Sequence, residues 1–195
     1  MKKSILTAVI LAASINVAQA DIIGAKLGYN YWNTDDHGDF HTVYGQIEHP
    51  IPLLPNLSVG YSKLNHDKLK FDSYDASGYY EILDNGNIAL DLGLGLRRFD
   101  SGKYLDASFS DTIPMLTADV ELFQASTISF YSKLFAGRSE DTDFNDLEVG
   151  ARFYLFAGLK LQAGYRLYEI DMDGTKGIYN DESMKGFNLG LHWDI

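Results

Sequence analysis

The 195-residue chain contains no cysteine, so neither a disulfide nor a thiolate metal site can hold it together. Basic residues are scarce, 16 against 27 acidic ones, and a formal net charge of −11 excludes a partner whose binding depends on clustered Lys and Arg, nucleic acid above all. Long apolar runs are missing as well. The longest mainly apolar stretch, Ile5 to Val17, falls short of the ~20 residues a helix needs to span a bilayer, so no transmembrane helix is expected. Proline is rare, with four residues in all, and breaks few of the segments described below.

Met1-Lys2-Lys3, the apolar run behind it and the small-residue exit Ala18-Gln19-Ala20 have the three parts of a secretory signal peptide. Residues 1–20 are therefore expected to be a signal peptide and 21–195 a single domain. What the chain does hold is 13 Tyr, 11 Phe and 18 Gly, a composition suited to strands in close backbone contact.

Alternation at the strand period is the dominant pattern. From Ile88 to Phe99, Ile88, Leu90, Leu92, Leu94 and Leu96 share one face, while Ala89, Asp91, Gly93, Gly95, Arg97 and Phe99 share the other. A helix would scatter those leucines around its circumference. The same two-residue repeat puts Ile23, Ala25, Leu27, Tyr29 and Tyr31 opposite Gly24, Lys26, Gly28 and Asn30, and it recurs over 147–155, 159–168 and 187–195. Further segments over 40–49, 57–65, 71–83, 113–123 and 128–137 bring the expected number of strands to ten, with eight and twelve as alternatives.

Connections after the even strands are short: 50–56, 84–87, 124–127 and 156–158. Those after the odd strands, 33–39, 66–70, 100–112, 138–146 and 172–185, are mostly longer and acidic. Alternating short and long connections are what a membrane barrel shows at its two ends. A soluble sandwich or lipocalin-like barrel would also alternate. Two features favour the membrane form: glycines lie on the polar face, where a narrow lumen needs small residues, and Tyr29, Tyr31, Tyr61, Tyr80, Tyr165 and Trp193 lie on the apolar face toward strand ends, as an interfacial girdle would. The expected fold is all-β, a closed antiparallel transmembrane β-barrel.

The final residues Leu189-Gly190-Leu191-His192-Trp193-Asp194-Ile195 resemble the C-terminal sorting signal of outer-membrane barrels, with Gly190, Trp193 and Ile195 at the matching positions. Leu189 and Ile195 depart from it, since the pattern has a polar residue before the glycine and closes on an aromatic one. Tyr79 to Asn85, Leu90 to Leu94 and Ile113 to Leu116 resemble a small Gram-negative outer-membrane β-barrel protein family of unassigned biochemical role. The resemblance spans most of residues 21–195. It implies a cell outer-membrane location, contact with outer-membrane lipid and lipopolysaccharide, and insertion by the barrel-assembly machinery; it implies no reaction.

Strand parity turns a set of ionisable residues inward: Lys26, Glu48, Asp91, Arg97, Asp119, Glu121, Lys133, Glu148, Arg152, Lys160, Arg166, His192 and Asp194. Confined to a narrow lumen, these are expected to pair and fill it, because an unpaired buried charge is costly. A narrow path for small solutes or ions is the alternative. For catalysis, His37, His41 and His66 lie near Asp35, Asp36, Asp39 and Asp67 at expected outer ends, and a His-Asp pair can orient a general base. No nucleophile motif accompanies them, so a rim-active lipid hydrolase is the second alternative and no enzyme is expected. Asp141 to Asp146 and Asp171 to Gly174 offer hard oxygens of the kind calcium uses, but neither has the twelve-residue loop closed by Glu. They read as solvated acidic loops. No metal and no cofactor are expected, and the default state is a monomer with a structural or surface-interaction role.

Overall fold

The computed structural model describes residues 24–34, 38–51, 53–175 and 178–195. The expected signal peptide, Ile23, and the candidate residues Asp35, Asp36 and His37 lie outside them. Among the described residues there are ten strands and no helix: β1 Gly24–Asn33, β2 Asp39–Glu48, β3 Asn56–Asn65, β4 Leu69–Asp84, β5 Ile88–Tyr104, β6 Ala107–Leu122, β7 Ile128–Arg138, β8 Thr142–Phe156, β9 Leu159–Thr175 and β10 Ile178–Asp194. Each strand pairs antiparallel with its sequence neighbours, and β1 pairs with β10 from Lys26↔Asp194 to Trp32↔Asn188, which closes the barrel. Closure leaves no open sheet edge around the belt.

The end carrying the even connections and Ile195 is here called the base, and the opposite end the rim. At the base the connections are 49–55, 85–87, 123–127 and 157–158, and the first is longer than the rim connections 66–68, 105–106 and 139–141, so the expected contrast between short and long ends is not found. Ala157 and Gly158 turn β8 into β9 with φ of 46° and 79°, the pair of positive values a two-residue hairpin of matching twist requires.

The rim differs from expectation. The acidic stretches read as loops are mostly strand: β5 runs on to Tyr104, β6 begins at Ala107, β8 at Thr142, and β9 and β10 occupy most of 172–185. The physical reason is a reversal of facing along the strands. Near the base the outward residues are apolar, and Leu92, Leu94 and Leu96 are exposed. Beyond Arg97 the outward residues of β5 become Arg98 and Lys103, while the inward ones become Phe99, 0% exposed, and Gly102. In β8 the outward face passes from Val149 and Leu147 to Asn145, and the inward face from Arg152, Glu148 and Asp146 to Phe144. In β9 the outward Leu161, Ala163 and Leu167 give way to Glu169 and Asp171, and the inward Gln162 and Arg166 to Tyr168, Ile170 and Met172. The rim half is thus packed like a soluble protein and the base half is inside out. A polar outer face made these segments look like loops.

The inverted level is marked on the outside by tyrosines. Tyr61 and Tyr74 lie with ring centroids 5.2 Å apart, and the Tyr61 hydroxyl donates to Asp72 at 2.8 Å. Tyr31 donates to Asp39 at 2.7 Å. Below this level the apolar belt on β5 runs from Ile88 to Leu96, ~27 Å along the strand and about 20 Å tall once the usual tilt is applied.

Candidate functional site: a filled lumen in two layers

Glycines on the inward face make room for large side chains opposite them. A Cβ on Gly28 would strike the Tyr44 ring, one on Gly102 would lie 2.6 Å from Phe109, one on Gly137 would strike Phe144, and one on Gly186 would lie 2.9 Å from the indole nitrogen of Trp32. Glycine therefore sets where the lumen is filled, by yielding its space to a ring from the neighbouring strand.

The rim layer is apolar. Trp32, Phe40, Leu64, Leu69, Phe71, Phe99, Phe109, Ile113, Phe144 and Tyr168 are buried there in one cluster. Phe71 meets Phe99 edge to face at 4.9 Å between centroids, and Phe99 meets Phe144 the same way at 6.0 Å, an arrangement that adds about 0.5–1.5 kcal/mol per pair beyond burial.

Below it lies the ionic layer, and the two meet at the arginines. Arg166 donates twice to Asp146, at 2.7 and 2.6 Å, and once to Thr42 at 3.3 Å. Its guanidinium carbon lies 4.3 Å from the Phe40 ring centroid. Arg97 binds Asp75 through two nitrogens at 2.8 and 2.7 Å, reaches Asp146 at 3.3 Å, and stands 4.5 Å over the Phe144 ring. Each guanidinium therefore shows its edge to carboxylates and its face to the aromatic lid, which suits a planar, weakly hydrated cation.

Nearer the base, Glu121 is the hub of a second cluster. It pairs with Arg152, lies 3.2 Å from Lys160 Nζ, and accepts from Ser129 at 2.5 Å. Arg152 Nε donates to Gln162 at 3.0 Å; Gln162 in turn donates to Glu148 and to Asn30, both at 2.9 Å. Tyr131 donates to Glu148 at 2.5 Å. Lys133 lies 3.6 Å from Asp119 and 3.9 Å from the Tyr44 ring centroid, and the Tyr44 hydroxyl meets His192 Nδ1 at 2.7 Å. Lys26 pairs with Glu48, which also accepts from Tyr79 at 3.1 Å, and Lys160 reaches Asp194 at 3.8 Å. Asp91 lines two internal cavities of about 70 and 20 Å³. Both are lined largely by polar side chains and have room for ordered waters.

All thirteen inward ionisable residues named from parity lie on the inner face. Three partners central to them, Asp75, Asp146 and Tyr44, fall outside that set. Asp146, expected in an acidic loop with Asp141, is instead in β8, 2% exposed, and committed to two arginines, so it supplies no oxygen to a rim cation site. Its signal was parity, since it lies two residues before the inward Glu148 on an even, inward position. Asp171 points outward from β9, not from a loop.

Of the histidines considered for catalysis, His41 and His66 are among the described residues. His41 is on the outer face, its Nδ1 2.8 Å from the Tyr29 hydroxyl. His66 is buried in the β3–β4 connection, where Nδ1 accepts from the Lys68 amide at 3.4 Å. Among the described residues no three His, Asp or Glu side chains group as metal ligands would. Gly190 leaves space taken by the Asn30 amide, Trp193 Nε1 donates to the Ala157 carbonyl at 2.8 Å, and the Ile195 amide donates to Ala25 at 2.9 Å.

The class is plain from this geometry: a closed ten-stranded antiparallel β-barrel with an apolar outer belt and an inner face that carries an aromatic and an ionic layer. No family model matches the chain, and no curated protein matches it. Solved structures similar to it include Neisserial surface protein A, at 17% identity over 88% of this chain and 94% of that one, with a TM-score of 0.37. The N-terminal β-barrel domain of Pseudomonas aeruginosa OprF is 10% identical over 91% and 100% of the two chains, with a TM-score of 0.39. The β domain of the Bordetella autotransporter BrkA is 14% identical over 90% and 99%, with a TM-score of 0.43. No role passes to this chain from them.

Proposed function

We propose that this chain is an integral outer-membrane barrel of a Gram-negative envelope, with a structural or surface-interaction role, a lumen closed to solutes and no enzymatic activity. The observation that carries the reading is the outer belt. Large apolar side chains stand exposed on every strand, among them Leu27, Val43, Val59, Leu94, Leu116, Phe130, Val149, Leu161 and Leu189. A contiguous apolar surface of that extent is far beyond what water tolerates, whereas a lipid bilayer requires it. The signal-peptide pattern at the N-terminus and the sorting-signal pattern at Gly190, Trp193 and Ile195 support the outer membrane as the destination, with lipid and lipopolysaccharide as surroundings and the barrel-assembly machinery as the route. A monomer is the simplest form, since β1 and β10 of one chain close the sheet.

The test is expression with fractionation and reconstitution. The protein should sediment with the outer membrane, resist alkaline extraction, and show no single-channel conductance in planar bilayers. Recovery in the soluble periplasmic fraction would refute the membrane reading, and a steady conductance would favour the narrow channel. A change in lipid A mass on overexpression would favour the hydrolase.

A further inference from the structure

The β2–β3 connection does not look like a base turn standing in water. Ile51, Leu53 and Leu54 are 59%, 93% and 52% exposed, whereas the β4–β5 turn is Asn85, Gly86 and Asn87. Its path explains the difference. Pro55 lies against Gly78, where an added Cβ would come within 3.2 Å of the ring, and the Tyr80 hydroxyl donates to the Leu53 carbonyl at 2.9 Å. Gly78 and Tyr80 alternate with the inward Ser77 and Tyr79, so both face out of the barrel. The connection is therefore folded back over the outer surface of β4 and runs on from the apolar belt.

His49 holds that fold from inside the turn. Its Nδ1 accepts from the Ile51 amide at 3.2 Å and its Nε2 lies 3.1 Å from the Pro55 carbonyl, a pair of contacts met by one neutral tautomer. The His49 amide donates to Asn56 at 3.0 Å. Leu53 takes φ of 69°, a left-handed conformation that a branched side chain adopts only when its surroundings impose it. Those contacts keep three apolar side chains turned outward at the edge of the belt.

We infer that Ile51, Leu53 and Leu54 form a lipid foot, seated in the headgroup and upper acyl region of the leaflet at the base. This rests on the membrane reading above. Continuity with the belt, through Leu57 and Val59 on β3 and Tyr80 on β4, selects lipid as the occupant. An apolar segment lying in the interface is bound by the area it buries there.

Because the chain has no cysteine, single-cysteine variants need no background changes. Nitroxide labels at Leu53→Cys, Leu54→Cys, Leu94→Cys and Asn87→Cys in the full chain, reconstituted into phosphatidylcholine vesicles, report collisions with oxygen and with a water-soluble nickel chelate. The oxygen-to-nickel accessibility ratio at 53 and 54 should be several-fold above that at 87 and approach that at 94. If 53 and 54 match 87 while 94 reads as lipid, the foot is refuted and the membrane reading stands; if 94 also matches 87, the membrane reading falls first. Spin–spin broadening at 53 that grows with protein-to-lipid ratio would give the segment to a second copy and overturn the inference. His49→Ala should lower the ratio reported by the label at 53 and, placed in the Leu94→Cys variant, leave the ratio at 94 unchanged.

Discussion

Asp146 holds two guanidinium groups at once: its Oδ2 lies 2.6 Å from Arg166 Nη2 and 3.3 Å from Arg97 Nη1, with all three side chains buried beneath the aromatic layer. Asp146→Asn keeps the shape and removes the charge, leaving Arg166 without a carboxylate partner in a closed space. The expected loss of stability is about 3–5 kcal/mol. Asp75→Asn should cost less, because Arg97 retains Asp146. Urea unfolding in lipid vesicles measures both, and equal small losses would mean that the lumen is solvated.

The reversal of facing predicts opposite tolerance at two outward positions. Leu92→Arg, in the middle of the belt, should destabilise the folded barrel in bilayers by about 2–4 kcal/mol. Asn145→Arg, on the outer face above the tyrosines, should stay within about 0.5 kcal/mol of the parent. Folding titrations in phosphatidylcholine vesicles compare them, and similar costs would remove the boundary between the two halves.

Gly102 and Phe109 are cross-strand partners, and the ring occupies the space a side chain at 102 would need. Gly102→Ala should destabilise by about 1–3 kcal/mol through overpacking. Combined with Phe109→Ala, it should add little to the cost of losing the ring. A double-mutant cycle on unfolding free energy gives the coupling, and simple additivity would place the ring elsewhere.

Topology follows from which connections share an end. An epitope at Asp106 or Glu140 should be detected on intact cells, and one at Asn85 only after the outer membrane is permeabilised. Antibody labelling in whole and permeabilised cells decides this; surface labelling at 85 alone would invert the orientation.

The base half was legible in the sequence because one face of each strand there is continuously apolar, so Ile88 to Leu96 could only be a strand and Arg97 or Glu148 could only face inward. The rim half was not, because the same period continues with the phase of polarity reversed. Phe99, Phe144 and Tyr168 are the next inward residues on the rim side of Arg97, Asp146 and Arg166, and the acidic outer neighbours Asp143, Glu169 and Asp171 look like loop composition. Asp75 was hidden for another reason: it alternates among Ser73, Ser77, Ala76 and Gly78, which offer no strong contrast to set a phase. Contacts across the lumen, such as Arg166 to Thr42, depend on radius and stagger, and no local pattern encodes them.

The final prediction concerns which layer closes the lumen. The aromatic layer and the ionic layer lie one above the other along the same axis, and a path through the barrel must cross both. Resistances in series add, so the tighter layer alone sets the conductance, and opening either one by itself leaves the other as a seal. Phe71→Ala with Phe99→Ala removes two rings from the lid and should cost several kcal/mol, at about 3–5 kcal/mol for each buried aromatic, yet remain non-conducting because the Arg97, Asp146 and Arg166 group still fills the section below. Arg166→Ala should likewise be silent, because the lid remains above it. Combining Arg166→Ala with the two phenylalanine substitutions thins both layers where they touch, at the Phe40 face of Arg166, but leaves the Glu121, Arg152 and Gln162 group across the section nearer the base, so the first resolvable ion current is expected when Arg152→Ala is added to these three. Single-channel recording of the four variants, with refolding checked in the same vesicles, tests this. A current from Arg166→Ala alone would show that the ionic layer is the seal, and a current from the lid variant alone would show that the charged residues below already line a water path.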